Sequence, residues 1–271
     1  MPCVKNIIGV LNQIAPFELA ETWDNSGLQA GDPSWPVHKI MVGLDVTLAG
    51  LKAAEKLNCD MFISHHPLVM TPEKSIDFGR MPGAAVCFCA QKKIAVVSAH
   101  TNLDKAHDGL NDYFARVINI PCDSPFYADD AKDIQEPFRT GLGRIGVLDN
   151  PISVGQLADQ IKKRLNIPAL RVAGDMDKMV RSIALCTGSG GSLTSFFLDS
   201  SAEVYITGDL KYHEARDIET RGKTAIDVGH FASEHIVVDL LKNHLDRALT
   251  ARGDKIKIYG FNKEKDPFKI I

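Results

Sequence analysis

Lys39-Ile40-Met41-Val42-Gly43-Leu44-Asp45, a Thr47-headed helical stretch to Leu57, and Asp60-Met61-Phe62-Ile63-Ser64-His65-His66-Pro67 decide how this chain folds. The first and last segments are short, continuously apolar runs, the pattern of strands buried on both faces. Thr47 offers the hydroxyl that satisfies the first amides of a helix. Strand, helix and strand within about 25 residues form a right-handed crossover between neighbouring parallel strands, which makes the fold α/β. Pro67 holds His66 extended and forbids helix continuation. Open α/β sheets collect ligands at the carboxyl ends of their strands, so Ser64-His65-His66 is a candidate metal site. Successive strand residues point to opposite faces. The two imidazoles therefore serve one ion only if the strand has already ended, or two neighbouring ions if they splay. A surface turn that happens to carry two of the nine histidines is the plain alternative.

The same grammar extends in both directions. A helical pattern over 4–14 opens the chain, and Trp23-Asp24-Asn25-Ser26-Gly27 marks a turn. A helix over 83–91 leads into the strand 93–98, which runs into Ala99-His100-Thr101-Asn102-Leu103-Asp104, and 109–118 is helical. Pro121, Pro125, Pro137, Gly141, Gly143 and Gly146 punctuate 121–150, where a domain boundary is expected. Beyond it, helices over 153–165, 212–220 and 234–245 alternate with strands at 171–174, 180–186, 203–207, 225–228 and 255–259. The two halves carry a weak internal duplication: residues 96–104 align with 226–234 by type and order, as do 61–65 with 204–208. We therefore expect a discontinuous first lobe, 1–124 plus 227–271, and a second lobe, 125–226.

Composition bounds the function. With 271 residues, 45% apolar and 24% charged, the chain can build two cores or one large α/β unit. A net charge of −3 and no basic block beyond pairs such as Lys162-Lys163 leave no footprint for general nucleic-acid or membrane-surface binding. The first residues lack the pattern of a signal peptide and no run is long enough for a membrane span, so a cytoplasmic protein is expected. Six cysteines without a C-x-x-C read as reduced thiols, and any metal here must use nitrogen and oxygen donors.

Three predicted strand ends offer such donors: His65 with His66, then Asp104 with His100 in reserve, then His230 with Glu234. The last two are four residues apart at a helix mouth and project from one face. An exposed helix start with a capping acid is the plain alternative for His230 and Glu234, and chance explains any one of the three ends easily but all three poorly. Three imidazoles and two carboxylates suit two ions sharing a bridging carboxylate or water, and the donor types fit zinc, iron(II) or manganese. Water held by two such ions becomes a nucleophile near neutral pH, which is hydrolytic chemistry.

Ile63-Ser64-His65-His66-Pro67-Leu68, Ser98-Ala99-His100-Thr101-Asn102-Leu103-Asp104, Ile206-Thr207-Gly208-Asp209-Leu210-Lys211-Tyr212-His213-Glu214 and Gly229-His230-Phe231-Ala232-Ser233-Glu234 closely resemble the four signature blocks of the NIF-three-like family, often labelled type-two GTP cyclohydrolase I homologues. Trp23-Asp24-Asn25-Ser26-Gly27-Leu28 and Cys186-Thr187-Gly188-Ser189-Gly190-Gly191 extend the match over nearly the whole chain. The resemblance implies two similar α/β lobes with mainly parallel sheets and a dinuclear metal centre in the cleft between them. Its ligands map onto His65, His66, Asp104, His230 and Glu234, with Asp104 or Glu234 bridging. It also implies a toroidal homohexamer, in the compact form that lacks an inserted domain.

The remaining polar residues divide into helpers and packing. Thr187-Gly188-Ser189-Gly190-Gly191-Ser192 is either an anion-cradling turn between strand and helix or a simple tight turn. Asp209, Lys211 and His213 follow a strand end as substrate contacts or supports. His100 reads as a support or proton carrier beside the metals, and Asp45 as a residue that orients an imidazole or caps the next helix. His38, His107, His235 and His244 read as surface or packing residues, and Trp23 and Trp35 as packing. The leading functional reading is a metal-dependent hydrolase of a nucleotide-like substrate. In its cyclohydrolase form the imidazole-ring carbon of GTP is attacked, the ring opens and formate leaves, with the glycine turn or Lys211 steadying the triphosphate. Phosphoester hydrolysis at the same ions is a second enzymatic reading; a metal-delivery or scaffold protein without turnover is the rival from another class.

Overall fold

A computed structural model describes residues 1–122, 124–128 and 140–271. Pro137, one of the residues punctuating 121–150, lies outside them. The chain forms two compact units, residues 1–106 with 237–264 and residues 107–236 with 265–271. The first contains α1 (Val4–Ile14), β1 (Gly27–Ala30), β2 (Lys39–Gly43), α2 (Leu48–Lys56), β3 (Met61–Ser64), α3 (Gly83–Lys92), β4 (Ala95–Ser98) and α4 (Thr101–Lys105). The second contains α5 (Leu110–Ile118), β5 (Ser124–Tyr127), β6 (Leu142–Ser153), α6 (Val154–Leu165), β7 (Arg171–Ala173), β8 (Met179–Ser189), α7 (Thr194–Asp199), β9 (Val204–Gly208), α8 (Tyr212–Thr220), β10 (Thr224–Asp227) and α9 (His230–Glu234). The chain then returns to the first unit as α10 (Val237–Ala251) and β11 (Lys257–Gly260).

The strand–helix–strand reading holds. In the first unit the sheet order is β1-β4-β3-β2-β11, with β4, β3, β2 and β11 parallel and β1 an antiparallel edge. All four residues of β3 and of β4 are buried, as parallel strands covered on both faces must be. Thr47 Oγ1 accepts the amide of Gly50 at 3.0 Å and caps α2. Register puts Gly43, Ser64 and Ser98 side by side at the strand ends. The segments that follow them, with Asp45, His65, His66 and His100, therefore leave the sheet together.

The second unit has the sheet order β5-β6-β8-β9-β10-β7, parallel across β8, β9 and β10 and antiparallel elsewhere. Alternate residues feed two cores. Ile183, Leu185, Val204 and Ile206 join Phe114, Leu157 and Ile161 of α5 and α6, while Ala184, Cys186 and Tyr205 join Phe197 and Ile218 of α7 and α8. Each fully buried aliphatic or aromatic side chain here contributes about 1.5–3 kcal/mol. Thus the described residues of 107–124, and 227–236, which the lobe boundaries drawn from sequence assign to the first lobe, belong to the second unit. The duplication is also visible in the topology: β1-β4-β3-β2 of one sheet matches β7-β10-β9-β8 of the other, each an antiparallel edge beside three parallel strands.

Two readings are corrected. The boundary expected within 121–150 falls instead at 106/107, and the described part of that stretch holds β5 and β6, paired antiparallel with each other, with β6 also antiparallel to β8. The glycines there allow close approach. A Cβ on Gly146 would lie 1.8 Å from the Pro121 carbonyl oxygen, and Gly143 adopts φ +62° with the Leu185 carbonyl oxygen 2.5 Å from its Cβ position. Arg144, buried, ties this hairpin to α5 through a two-pronged bond to Asp112 at 2.5 and 2.8 Å. The helix expected over 234–245 is two helices, because α9 ends at Glu234 and α10 begins at Val237.

Candidate metal centre

In the first unit three imidazoles meet where β2, β3 and β4 end. His65 is fully buried, and its Nδ1 lies 2.8 Å from the Ala99 carbonyl oxygen. A carbonyl has no proton to give, so Nδ1 donates and Nε2 carries the lone pair. His66 Nδ1 is 2.8 Å from Asp45 Oδ1 and His100 Nδ1 is 2.8 Å from Asp24 Oδ1, which imposes the same tautomer against ionised carboxylates. One ligand nitrogen from each ring lies within 4.8 Å of the other two. Asp104, on the single turn of α4, places Oδ1 3.7 Å from His65 Nε2. That is too long for a hydrogen bond and close to the ~3.3 Å that two donors on one tetrahedral ion keep. These donors fit a divalent cation.

Asp24 explains how His100 is aimed. Its side chain is fully buried and accepts from Thr101 Oγ1 at 2.5 Å, Asn25 N at 2.7 Å, Ser26 Oγ at 2.8 Å and Thr101 N at 3.1 Å, besides His100. Burial pushes the carboxyl up, but hydrogen bonds from His100, Thr101 and Ser26 outweigh it and hold it well below the usual carboxylate range. The His100 amide is tied to Asn102 Oδ1 at 2.9 Å, and Asn102 is anchored to the Ala15 carbonyl at 2.8 Å.

In the second unit His230 and Glu234 occupy the single turn of α9, with Nε2 and Oε2 2.9 Å apart. His230 Nδ1 lies 2.8 Å from Asp209 Oδ2, repeating the arrangement of the other three rings. The loop ends are pinned by Asp227, which accepts from Leu210 N at 3.0 Å and Gly229 N at 2.9 Å. Room for the Glu234 carboxylate comes from Gly188: a Cβ there would sit 2.0 Å from Oε1. The Gly188 amide in turn donates to Ser233 Oγ at 2.9 Å.

A family model described as Duf34/NIF3 (NGG1p interacting factor 3) matches residues 2–267. This chain belongs to the Duf34/NIF3 family. It is 32% identical over 267 residues to a Clostridium acetobutylicum protein named GTP cyclohydrolase 1 type 2 homolog, covering 98% of each. It is 34% identical over 247 residues to a Helicobacter pylori J99 protein named GTP cyclohydrolase 1 type 2, covering 89% of this chain and 92% of that one. The crystal structure of Staphylococcus aureus protein SA1388 matches with a TM-score of 0.91 at 27% identity, covering 100% of both chains.

Within this NIF3-family chain the remaining predicted residues fall as follows. Asp45 orients His66, since Thr47 and not Asp45 caps α2. His213 is exposed on α8, edge-on to Tyr212, and lies in no metal-donor group of the described residues. Lys211 is exposed too. His38 and His107 are exposed, and His235 stacks on Phe231. Trp23 is a correction: it is 61% exposed and stands edge-on to His100, so it does not pack in a core. Carboxylates and hydroxyls approach the glycine-rich turn closely, which opposes the anion-cradle reading. The Gly190 position is approached by Thr207 and Tyr205, that of Gly191 by the Glu214 carboxylate at 2.6 Å, and that of Gly188 by Glu234. Asp24 and Gly188 escaped sequence reasoning because Asp, Asn, Ser and Gly in a row signal a turn whatever their side chains later hold. No helix among the described residues is long and apolar enough to cross a membrane.

Proposed function

We propose that this protein is a dinuclear metal-dependent hydrolase of a nucleotide-like substrate, in which His65, His66, Asp104, His230 and Glu234 together hold two divalent ions of zinc, iron(II) or manganese. Asp104 or Glu234 bridges them. The observation that carries the proposal is the shared state of the rings: His65, His66, His100 and His230 each have Nδ1 2.8 Å from an oxygen acceptor, which leaves Nε2 as the nitrogen for an ion. Such ions, when bound, supply Lewis acidity and a water acidified toward neutral pH. The protein's part is to fix donors before substrate arrives, through Ala99, Asp45, Asp24 and Asp209. The names of the relatives make GTP the first substrate to test, with ring opening and loss of formate as the reaction. We extend the proposal to a cytoplasmic, toroidal homohexamer.

A metal-delivery protein without turnover is the second reading, favoured by the Glu214 carboxylate against Gly191, which opposes a triphosphate there. Chelator-stripped protein reloaded with zinc, iron(II) or manganese separates the two, with formate release from GTP and phosphate release from nucleotide esters as readouts. Turnover with two bound ions per chain, lost in His65→Ala and Glu234→Ala, is expected. Two bound ions with product formation at the buffer rate for every metal would replace hydrolysis by delivery. Light scattering at micromolar concentration tests the hexamer, which a monomeric mass removes.

A further inference from the structure

We propose that Glu264 is a positioning residue: its carboxylate fixes the strand-end segment Gly43-Leu44-Asp45 and, through that segment, His65 and His66. The inference rests on reading these two histidines as metal ligands. It gives a role to a residue outside the donor set, 220 positions along the chain from Leu44. Leu44 N donates to Glu264 Oε2 at 2.9 Å and Asp45 N donates to Oε1 at 2.8 Å. Two consecutive amides on the two oxygens of one carboxylate fix the orientation of both peptide planes as well as their place, and a charged acceptor makes each bond stronger than a neutral one. The end of β11 delivers the acid. That strand pairs parallel with β2, the Phe261 amide donates to the Val42 carbonyl oxygen at 2.7 Å, and buried Phe261 shares a core with Met41 and Phe62.

Three bonds run from the held segment to the histidines. The His65 amide donates to the Gly43 carbonyl oxygen at 3.3 Å, the His66 amide donates to the Leu44 carbonyl oxygen at 3.0 Å, and His66 Nδ1 donates to Asp45 Oδ1 at 2.8 Å. His66 is supported differently from His100. The Asp24 side chain behind His100 is fully buried and gripped by hydroxyl and amide donors, whereas the Asp45 side chain behind His66 is 49% exposed. A carboxylate so open to water keeps a ring in one place only if its backbone is fixed, and Glu264 fixes it. Helix capping does not account for Glu264, because Thr47 Oγ1 already caps α2. Anchoring of the segment after β11 is the plain alternative, and it requires a loss of stability with no loss of metal affinity. Metal–ligand distances tolerate only about 0.2 Å, so a small release of residues 43–45 is felt at an ion held by His66.

The test uses the full-length chain, stripped of metal and titrated with zinc against a chromophoric chelator and with cobalt(II) by visible absorption. Glu264→Ala should weaken zinc by about 10-fold, the lower end of the range for loss of a supporting partner, and change the cobalt spectrum. Glu264→Gln, which keeps one carbonyl oxygen for the two amides, should recover part of the loss; it also replaces Glu264→Ala if circular dichroism shows the latter unfolded. Ile94→Val, a change in the core of the same unit at the far end of β4 from His100, should lower Tm and leave zinc affinity as it is. In a double-mutant cycle, Glu264→Ala should weaken zinc less in an Asp45→Ala background than in the wild type, because part of its effect passes through that carboxylate. The inference is overturned if zinc affinity and cobalt spectrum ignore the loss of Glu264, if Ile94→Val lowers affinity in the same proportion to its Tm loss, or if the two substitutions simply add. A wild-type chain that takes up no ion would overturn the metal reading and this inference with it, whereas a metal-binding wild type indifferent to Glu264 would overturn this inference alone.

Discussion

Gly188→Ala should disable the proposed metal ligand Glu234 while leaving the fold in place. Gly188 sits at φ +63°, and a Cβ there lies 2.0 Å from Glu234 Oε1, 2.9 Å from its Cδ and 3.5 Å from His230 Nε2. Restoring an ordinary contact near 3.4 Å drives the carboxylate oxygen back by about 1.4 Å. Metal–ligand distances tolerate only about 0.2 Å, so a carboxylate so displaced can no longer serve the same ion. Zinc affinity at the His230–Glu234 end should fall by at least the ~10–100-fold that accompanies loss of a supporting partner. The backbone adds a separate cost of about 1–2 kcal/mol for a non-glycine residue in the left-handed region, visible as a few degrees in Tm. Gly222→Ala is the control, because Gly222 has φ +68° and nothing within 4 Å of its Cβ position, so it reports strain without collision. Chelator competition on Gly188→Ala, Glu234→Ala and the combination forms a double-mutant cycle. With the carboxylate already gone, the Gly188 substitution should cost no further metal affinity. Wild-type affinity in Gly188→Ala, with a Tm loss equal to that of Gly222→Ala, would refute the steric reasoning.

Two further outcomes are expected. The amides of Ser182 and Arg181 donate to one oxygen of Glu203, at 2.9 and 2.7 Å, and hold its pKa below the usual glutamate range. A folded pKa below the unfolded one gives stability that is complete above the unfolded value, near 4.3, and fades as pH falls through the folded one. The gap in urea midpoint between wild type and Glu203→Gln should thus be constant from pH 8 to about pH 5 and narrow below it; a gap unchanged to pH 3 contradicts this. Burial pushes the Cys59 thiol up to about 11 and that of Cys89 to about 12, and Cys186 is buried as well. A maleimide at pH 8 should therefore label Cys3, Cys87 and Cys122 in the folded chain and the other three only after denaturation, and rapid labelling of five or six by mass spectrometry would contradict that burial.

Much of the scaffold was legible along the chain because it is written in local chemistry. Apolar runs such as Met61-Phe62-Ile63, the cap at Thr47 and the Ser153–Gln156 capping box each act within a few residues, and the elements they specify are present. Repeated order also survived: the likeness of 96–104 to 226–234 becomes two matching four-strand arrangements. The 121–150 stretch misled because a glycine that ends a strand and one that lets another backbone approach look alike in one dimension. Only the Pro121 carbonyl oxygen at the Gly146 position tells them apart.

What the linear chain settled by itself was the α/β class, the strand ends that carry donors and the residue types offered there. Histidines and acids after buried strands are local facts, and a parallel crossover delivers its strand ends to one edge of the sheet. What tertiary structure decided was orientation. Asp24 meets His100 across 76 positions, Asp45 meets His66 across 21, and Gly188 clears space for a carboxylate 46 residues further on. Hydrogen bonds and steric clearances act over a few ångströms, and only the folded backbone determines which distant residues come within that range.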